Sequence, residues 1–97
     1  MSYARIVTIH AQAGKLDEVV KVYHESILPA AKQQEGFLDA RLFIDRATGK
    51  GISVARWQTE EDLTAGEASG YYSEQIAKLV PLLAAPPVRE AYEIAVD

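Results

Sequence analysis

The hydrophobic positions change period several times along the chain, and each change marks an element. Residues 4–10 carry the β-rich run Arg-Ile-Val-Thr-Ile, which stops at residues 11–14, so a first strand is predicted there. From Lys15 the period lengthens. Leu16, Val20, Tyr23, Ile27 and Ala31 form the apolar stripe of an amphipathic helix. Asp17 and Glu18 fall in its first turn, where carboxylates complement the helix dipole. Pro29 removes a backbone donor and crowds the preceding turn, which predicts a kink or interruption, and Gly36 supplies the stop.

Residues 37–45 and 51–58 then read as a hairpin around Arg46-Ala47-Thr48-Gly49-Lys50. A three-residue loop, Ala47-Thr48-Gly49 with Gly49 left-handed, pairs Leu42 with Val54 and Ile44 with Ile52 on a face for the helices. The opposite face then carries Asp39 with Trp57, Arg41 with Ala55 and Phe43 with Ser53. A slip that set Arg41 against Arg56 would scramble both faces and is rejected. Thr59-Glu60-Glu61-Asp62 is a capped helix start, and Gly66 and Gly70 weaken the helix it opens. A second helical segment begins near Ser69 with the stripe Tyr72, Ile76, Leu79, Val80 and Leu83, and Pro81 kinks it. Pro86-Pro87 precedes a last strand over residues 88–96.

The order strand, helix, strand, strand, helix, strand is a split βαβ arrangement. It predicts an α+β, ferredoxin-like βαββαβ domain over residues 1–97, with a four-stranded antiparallel sheet and both helices on one face. The bare face would hold Phe43, Trp57 and some of Tyr3, Val7, Ile9 and Tyr92, a patch large enough to mark an interface. A homodimer through that open face is expected.

Composition narrows the classes. Ten Lys plus Arg against fourteen Asp plus Glu leave a net charge of −4, which argues against a nucleic-acid partner. Apolar residues make up 48% of the chain, enough for one core. No cysteine is present, so disulfides, thiolate metal sites and Cys nucleophiles are excluded. Residues 79–88, the longest mostly apolar stretch, contain three prolines, and the start Met-Ser-Tyr-Ala-Arg lacks an export signal. No membrane association and a cytoplasmic location are expected. Gly49-Lys50-Gly51 leads into a strand and not a helix, so no phosphate loop, dinucleotide site or bound cofactor is expected.

Several landmarks occur in a telling order: Gly14-Lys15, Ile27-Leu28-Pro29, Gly36-Phe37, Asp45-Arg46-Ala47-Thr48-Gly49, Trp57-Gln58-Thr59-Glu60, and a tyrosine-bearing second helix. Together they resemble the antibiotic biosynthesis monooxygenase domain family of the dimeric α/β-barrel superfamily. The resemblance implies a homodimer packed sheet to sheet, with a pocket between each sheet and its own helices. It also implies cofactor-independent oxygenation of polyketide-type molecules, heme degradation, or handling of small quinone or autoinducer-type molecules. The quinone-forming and heme-degrading groups use an asparagine with a tryptophan, and this chain has no asparagine. The second-helix histidine of the heme-degrading group has no counterpart between Thr59 and Pro87, which disfavours heme degradation.

Candidate site residues each carry two readings. Trp57 is a stacking wall for a flat ligand or a large residue filling the sheet edge. Tyr23 and Tyr72 sit on the apolar stripes as core residues or as phenolic donors, and Tyr71 is either solvent-facing or on a pocket rim. His24 and His10 are the two histidines and the candidate general bases, with His24 preferred as the pocket residue; no metal-ligand spacing accompanies them. Arg5, Arg41 and Arg56 stand inside strands. A cross-strand ion-pair lattice with Asp39, Glu90 or Glu93 explains them, while Arg56 on the helix side is the sharper candidate for an anion clamp. The leading expectation is a cofactor-independent monooxygenase-like protein acting on a small electron-rich aromatic or polyketide-type molecule. His24, His10 and Tyr72 are its catalytic candidates, and Trp57, Tyr23, Tyr71 and Arg56 its substrate-binding candidates. The alternative is a non-catalytic ligand-binding or stress-response dimer.

Overall fold

Alternating β-branched residues form β1 (Tyr3–His10), whose inward side chains Val7 and Ile9 are buried beneath the helices. The computed structural model of the chain describes residues 2–97. Across the first crossover, α1 (Leu16–Val22) widens into a π turn (Tyr23–Ile27) and resumes as α2 (Leu28–Ala31). Pro29 explains the wide turn. Its ring cannot donate to the helix ladder, and the Leu28 amide reaches back five residues to the Tyr23 carbonyl. The expected interruption is therefore a change of pitch within one helical rod. Val19 is its most deeply buried residue, with Tyr23 and Ala31 next; Val20 is only half-buried.

β2 (Phe37–Asp45) and β3 (Lys50–Trp57) form the hairpin. α3 (Glu60–Ala68), α4 (Tyr71–Ala77) and a 3₁₀ turn (Val80–Leu82) make the second crossover, and β4 (Val88–Glu93) ends the sheet. Thr59 caps α3 by accepting the Asp62 amide, as its position predicts. The sheet order is β2-β3-β1-β4 with every neighbouring pair antiparallel, the ferredoxin-like α+β fold expected. β4 is shorter than predicted. Beyond Glu93 the Ile94 amide donates to the Ser2 carbonyl, and the Asp97 carboxylate lies 3.4 Å from Arg56 Nη1.

The hairpin register departs from expectation by one residue. Asp45 pairs with Lys50, Phe43 with Ile52, Leu42 with Ser53, Arg41 with Val54 and Asp39 with Arg56, with a bulge between Phe37 and Asp39. The loop holds four residues instead of three because Asp45 closes the turn itself. Its carboxylate accepts the Ala47 amide and its carbonyl accepts the Gly49 amide. Side chains alternate at every residue, so the slip turns all of β3 over while leaving β2 as predicted. Trp57, Ala55 and Ser53 face the helices, and Ile52, Val54 and Arg56 face outward. β1 likewise points Val7 and Ile9 inward, against the expectation that they share the open face. That face instead carries Phe43, Ile52, Val54, Val88 and Tyr92; Phe43, Val88 and Tyr92 are about half exposed.

The core joins Val7 and Ile9 of β1 to Val19 of α1 and to Leu79 and Leu83 after α4. Val80, predicted on the second stripe, is exposed, because the 3₁₀ turn at Pro81 rotates it away.

Gly36 and Gly14 offer a controlled comparison. Both have φ near +78°, but a Cβ at Gly36 would overlap the Asp62 carboxylate, whereas one at Gly14 meets nothing within 4 Å. Gly14→Ala should cost about 1 kcal/mol from backbone strain alone. Gly36→Ala should cost about 2–3 kcal/mol, since Asp62 must also move. Urea unfolding of the two variants checks the difference.

Candidate functional site

The flipped β3 places Trp57 at the floor of a cavity between the sheet and the helices. Trp57 is 1% exposed and packs edge-to-face against Phe37, with ring centroids 5.5 Å apart. Above it lies Arg5 of β1, whose guanidinium carbon stands 4.6 Å from the Trp57 ring and 4.4 Å from the Tyr72 ring of α4. An aromatic face on each side is a favourable setting for a desolvated guanidinium.

Arg5 is a charged side chain with 5% exposure, and its partner comes from α3. Arg5 Nε donates to Glu67 Oε2 at 3.1 Å, and Nη2 reaches the Leu63 carbonyl at 3.5 Å. Glu67 is shared. Arg89 of β4 grips the same carboxylate through Nε at 2.8 Å and Nη2 at 2.7 Å. Burial pulls the Arg5 pKa down while Glu67 holds it up, and a guanidinium stays charged under those opposing effects. Gly66 makes this approach possible. A Cβ there would press on the Tyr71 ring and touch Arg5 Nη2.

Tyr23 closes the far side of the cavity. Its hydroxyl lies 2.8 Å from Ser53 Oγ, tying the π turn to β3. Burial raises the pKa of the Tyr23, Tyr71 and Tyr72 phenols, so all three are neutral hydrogen-bonding groups at neutral pH. The remaining walls are aliphatic, including Val7, Ile27, Leu42 and Ile76.

Of the candidate residues, Trp57, Tyr23, Tyr71 and Tyr72 all line the cavity, and Tyr71 is a half-buried wall. Arg56 is a correction. It lies on the open face, where the register sets it against Asp39, to which it donates from Nε at 2.7 Å and Nη2 at 2.6 Å. Asp39 was expected beside Arg41 in a cross-strand lattice; it pairs with Arg56 instead, Arg5 takes its carboxylate from α3, and the Arg56 contact holds the Asp39 carboxyl below its ordinary pKa. The two histidines are also corrected. His24 is exposed on the π turn and His10 is exposed at the end of β1, and neither lines the cavity.

Ser53 and Glu67 are site residues that the sequence did not single out, and Arg5 was noted only as a strand charge in an ion-pair lattice. The signal for Arg5 was parity. It shares its strand face with Val7 and Ile9, so a helix-facing β1 makes it a buried cation by construction.

The cavity volume is about 60 Å³. A cavity of roughly 150 Å³ admits benzene, so this one takes a ring only if a wall moves. α4 is the wall suited to that, since it is seven residues long and contributes no fully buried side chain. Among the described residues no group of three or more His, Asp or Glu is placed to hold a metal ion, and no helix is long and apolar enough to cross a membrane.

Residues 2–78 match the family model described as antibiotic biosynthesis monooxygenase. The chain belongs to that family. Solved structures agree on the fold. SnoaB from Streptomyces nogalater, a cofactor-independent oxygenase solved as a point mutant, superposes with a TM-score of 0.83 at 13% identity, covering 99% of this chain and 95% of that one. Rv0793 from Mycobacterium tuberculosis gives 0.78 at 13% identity, over 100% and 98% of the two chains. The uncharacterised protein Rv2557 of M. tuberculosis is 28% identical over 97 residues, which is 96% of this chain. The chain spans only 41% of that relative's length. This member of the family thus has a monooxygenase-like fold, with its cavity on the helix side of the sheet.

Removing Glu67 tests the ion cluster. Glu67→Gln should lower stability by about 2–3 kcal/mol, because Arg5 then keeps a desolvated charge without a carboxylate. Arg89→Met, which removes the more exposed partner, should cost less than about 1 kcal/mol. Thermal and urea unfolding of both variants gives the comparison.

Proposed function

We propose that the cavity is a substrate pocket in which a small electron-rich aromatic or polyketide-type molecule reacts with dioxygen without a bound cofactor. The observation that supports this most is the cavity itself. It is apolar and walled by flat rings, and its few polar atoms belong to Arg5, Ser53, Gln75 and the phenols of Tyr23, Tyr71 and Tyr72. A dry site of this composition excludes water from a reactive carbanion while leaving hydrogen-bond donors for developing charge. SnoaB, whose fold this chain shares, is a cofactor-independent oxygenase. The reaction balances on the substrate alone. An activated CH₂ loses two hydrogens and becomes a carbonyl with one oxygen atom, and the second oxygen leaves as water with those hydrogens. Trp57 and Tyr72 hold Arg5 between their rings at this site, and Tyr23 adds a neutral phenol to its lining.

The small cavity volume favours one other reading, a non-catalytic ligand-binding or stress-response dimer whose pocket stays closed by its side chains. Oxygen uptake separates the two. With an anthrone as substrate and no flavin or nicotinamide added, the enzyme reading expects one O₂ consumed per carbonyl formed. It also expects Trp57→Ala to lower the rate by about 10²-fold through lost positioning. Binding of the anthrone, seen as quenching of Trp57 emission, with no oxygen uptake would support the non-catalytic reading.

The open sheet face is proposed as the homodimer interface. Phe43, Val88 and Tyr92 leave apolar surface half exposed there, and the turned-over β3 adds Ile52 and Val54. Burying such a row against a second copy is favourable by about 1.5–3 kcal/mol per large side chain. Sedimentation equilibrium should give twice the 10.6 kDa chain mass. Phe43→Glu should shift the population to monomer with the fold retained, and a wild-type monomer would remove the proposal.

A further inference from the structure

The cavity has donors and a cation but no base. Its lining residues with polar side-chain atoms are Arg5, Tyr23, Ser53, Trp57, Tyr71, Tyr72 and Gln75; among the described residues no Asp, Glu, His or Lys lines it. The phenols are neutral, and both histidines are exposed outside it. Glu67, the carboxylate beside Arg5, is already held by two guanidiniums. A ligand that must lose a proton therefore finds no group in this cavity to take it.

Two further observations concern charge and donors. Arg5 and Arg89 share one carboxylate, which leaves the cluster with a surplus positive charge in a chain of net charge −4. Arg5 donates through Nε and Nη2, and its Nη1 makes no hydrogen bond among the described residues. The indole Nε1 of Trp57 is a fully buried donor with no acceptor among the described residues. Both side chains line the cavity, 4.6 Å apart from guanidinium carbon to ring centroid. A cation and an unpartnered donor carried by two residues that line one cavity match an oxygen that carries negative charge.

We infer that the pocket binds its ligand as an oxyanion on a flat apolar body, a phenolate or enolate that enters already ionised, with Arg5 as its counter-charge and the Trp57 N–H as a donor. This rests on the reading of the cavity as a small-molecule pocket and names the ionisation state of the molecule it takes. The ligand's own acidity, and not a protein base, then sets how much of it can bind near neutral pH. Several groups face Arg5. They are Glu67 of α3, itself bridged to Arg89 of β4, Tyr71 and Tyr72 of α4, and the indole of Trp57.

The test uses 4-nitrophenol, whose phenolate absorbs in the visible, and nitrobenzene as its uncharged counterpart. Trp57 is the chain's single tryptophan, so its emission reports occupancy directly. At a pH equal to the phenol's own pKa, adding protein should strengthen the phenolate band, and nitrobenzene should bind at least about tenfold more weakly. Arg5→Met should abolish the gain in phenolate, and Arg5→Lys, which keeps the charge without the planar fork, should retain part of it. Should Arg5→Met fail to fold, Trp57→Phe read by absorbance should reduce the phenolate gain. Bleaching of the band on binding, equal affinity for nitrobenzene, or a phenolate gain that survives Arg5→Met would each overturn the inference while leaving a pocket in place. If neither compound quenches Trp57, the pocket reading fails, and the inference with it.

Discussion

A guanidinium on the inward face of β1 is the constraint around which the second half of the chain is arranged. Arg5 occupies a position that strand alternation assigns to a core residue, two residues before the buried Val7 on the same face. A charge there is tolerable only with a carboxylate and a surface that suits a weakly hydrated planar cation. The chain supplies Glu67 from α3, the Trp57 face from β3 and the Tyr72 face from α4. Gly66 is the backbone counterpart of this arrangement, since any side chain there would crowd Tyr71. The cavity borders this cluster. A flat cation between two rings does not interdigitate as branched aliphatic side chains do, and space remains around it.

The fold was legible because it rests on redundant signals. Four strands, the capped start of α3 and the split βαβ order are each supported by periodicity over many residues. The helix–sheet layering needs no exact register. The site was less legible because it depends on parity, and one turn residue sets the parity of β3. Asp45 adds its carboxylate to the turn, the loop takes a fourth residue, and Trp57 moves from the open face to the cavity floor. Arg56 moves the opposite way. The tyrosines escaped this error because helix stripes are set by their own period, independent of the hairpin. His24 was misjudged for a related reason. Across the π turn the usual three-to-four spacing no longer predicts which side faces the sheet, and the residue after Tyr23 turns outward.

The two faces of the sheet divide the work. Where β2 and β3 lie together, the outer face gains Ile52 and Val54 beside Phe43 and Arg56 beside Asp39, and gives up Trp57. The inner face correspondingly loses two branched aliphatics opposite Leu42 and Ile44 and receives Ser53 and Gly51. Smaller inner residues on β3 draw less helix surface onto the sheet at that point. This is where Tyr23 reaches down to Ser53 instead of packing against a valine.

The distribution of buried residues then says which wall of the cavity yields. Val19 and Tyr23 fix the first helical rod to β1 and β3, and Leu79 and Leu83 anchor the chain after α4. α4 itself lies between Gly70, in a left-handed conformation, and Leu79, and has no fully buried side chain. Its hold on the domain comes through Tyr71, Tyr72 and Ile76, all half-buried and all cavity-lining. Those contacts are the ones a ring-sized occupant would replace. Displacing α4 thus exchanges protein–protein apolar contact for protein–ligand contact of the same kind, while the anchors on either side stay in place. The cavity of about 60 Å³ thus has one lightly anchored wall, α4, while Glu67 and Trp57 hold Arg5 from other elements.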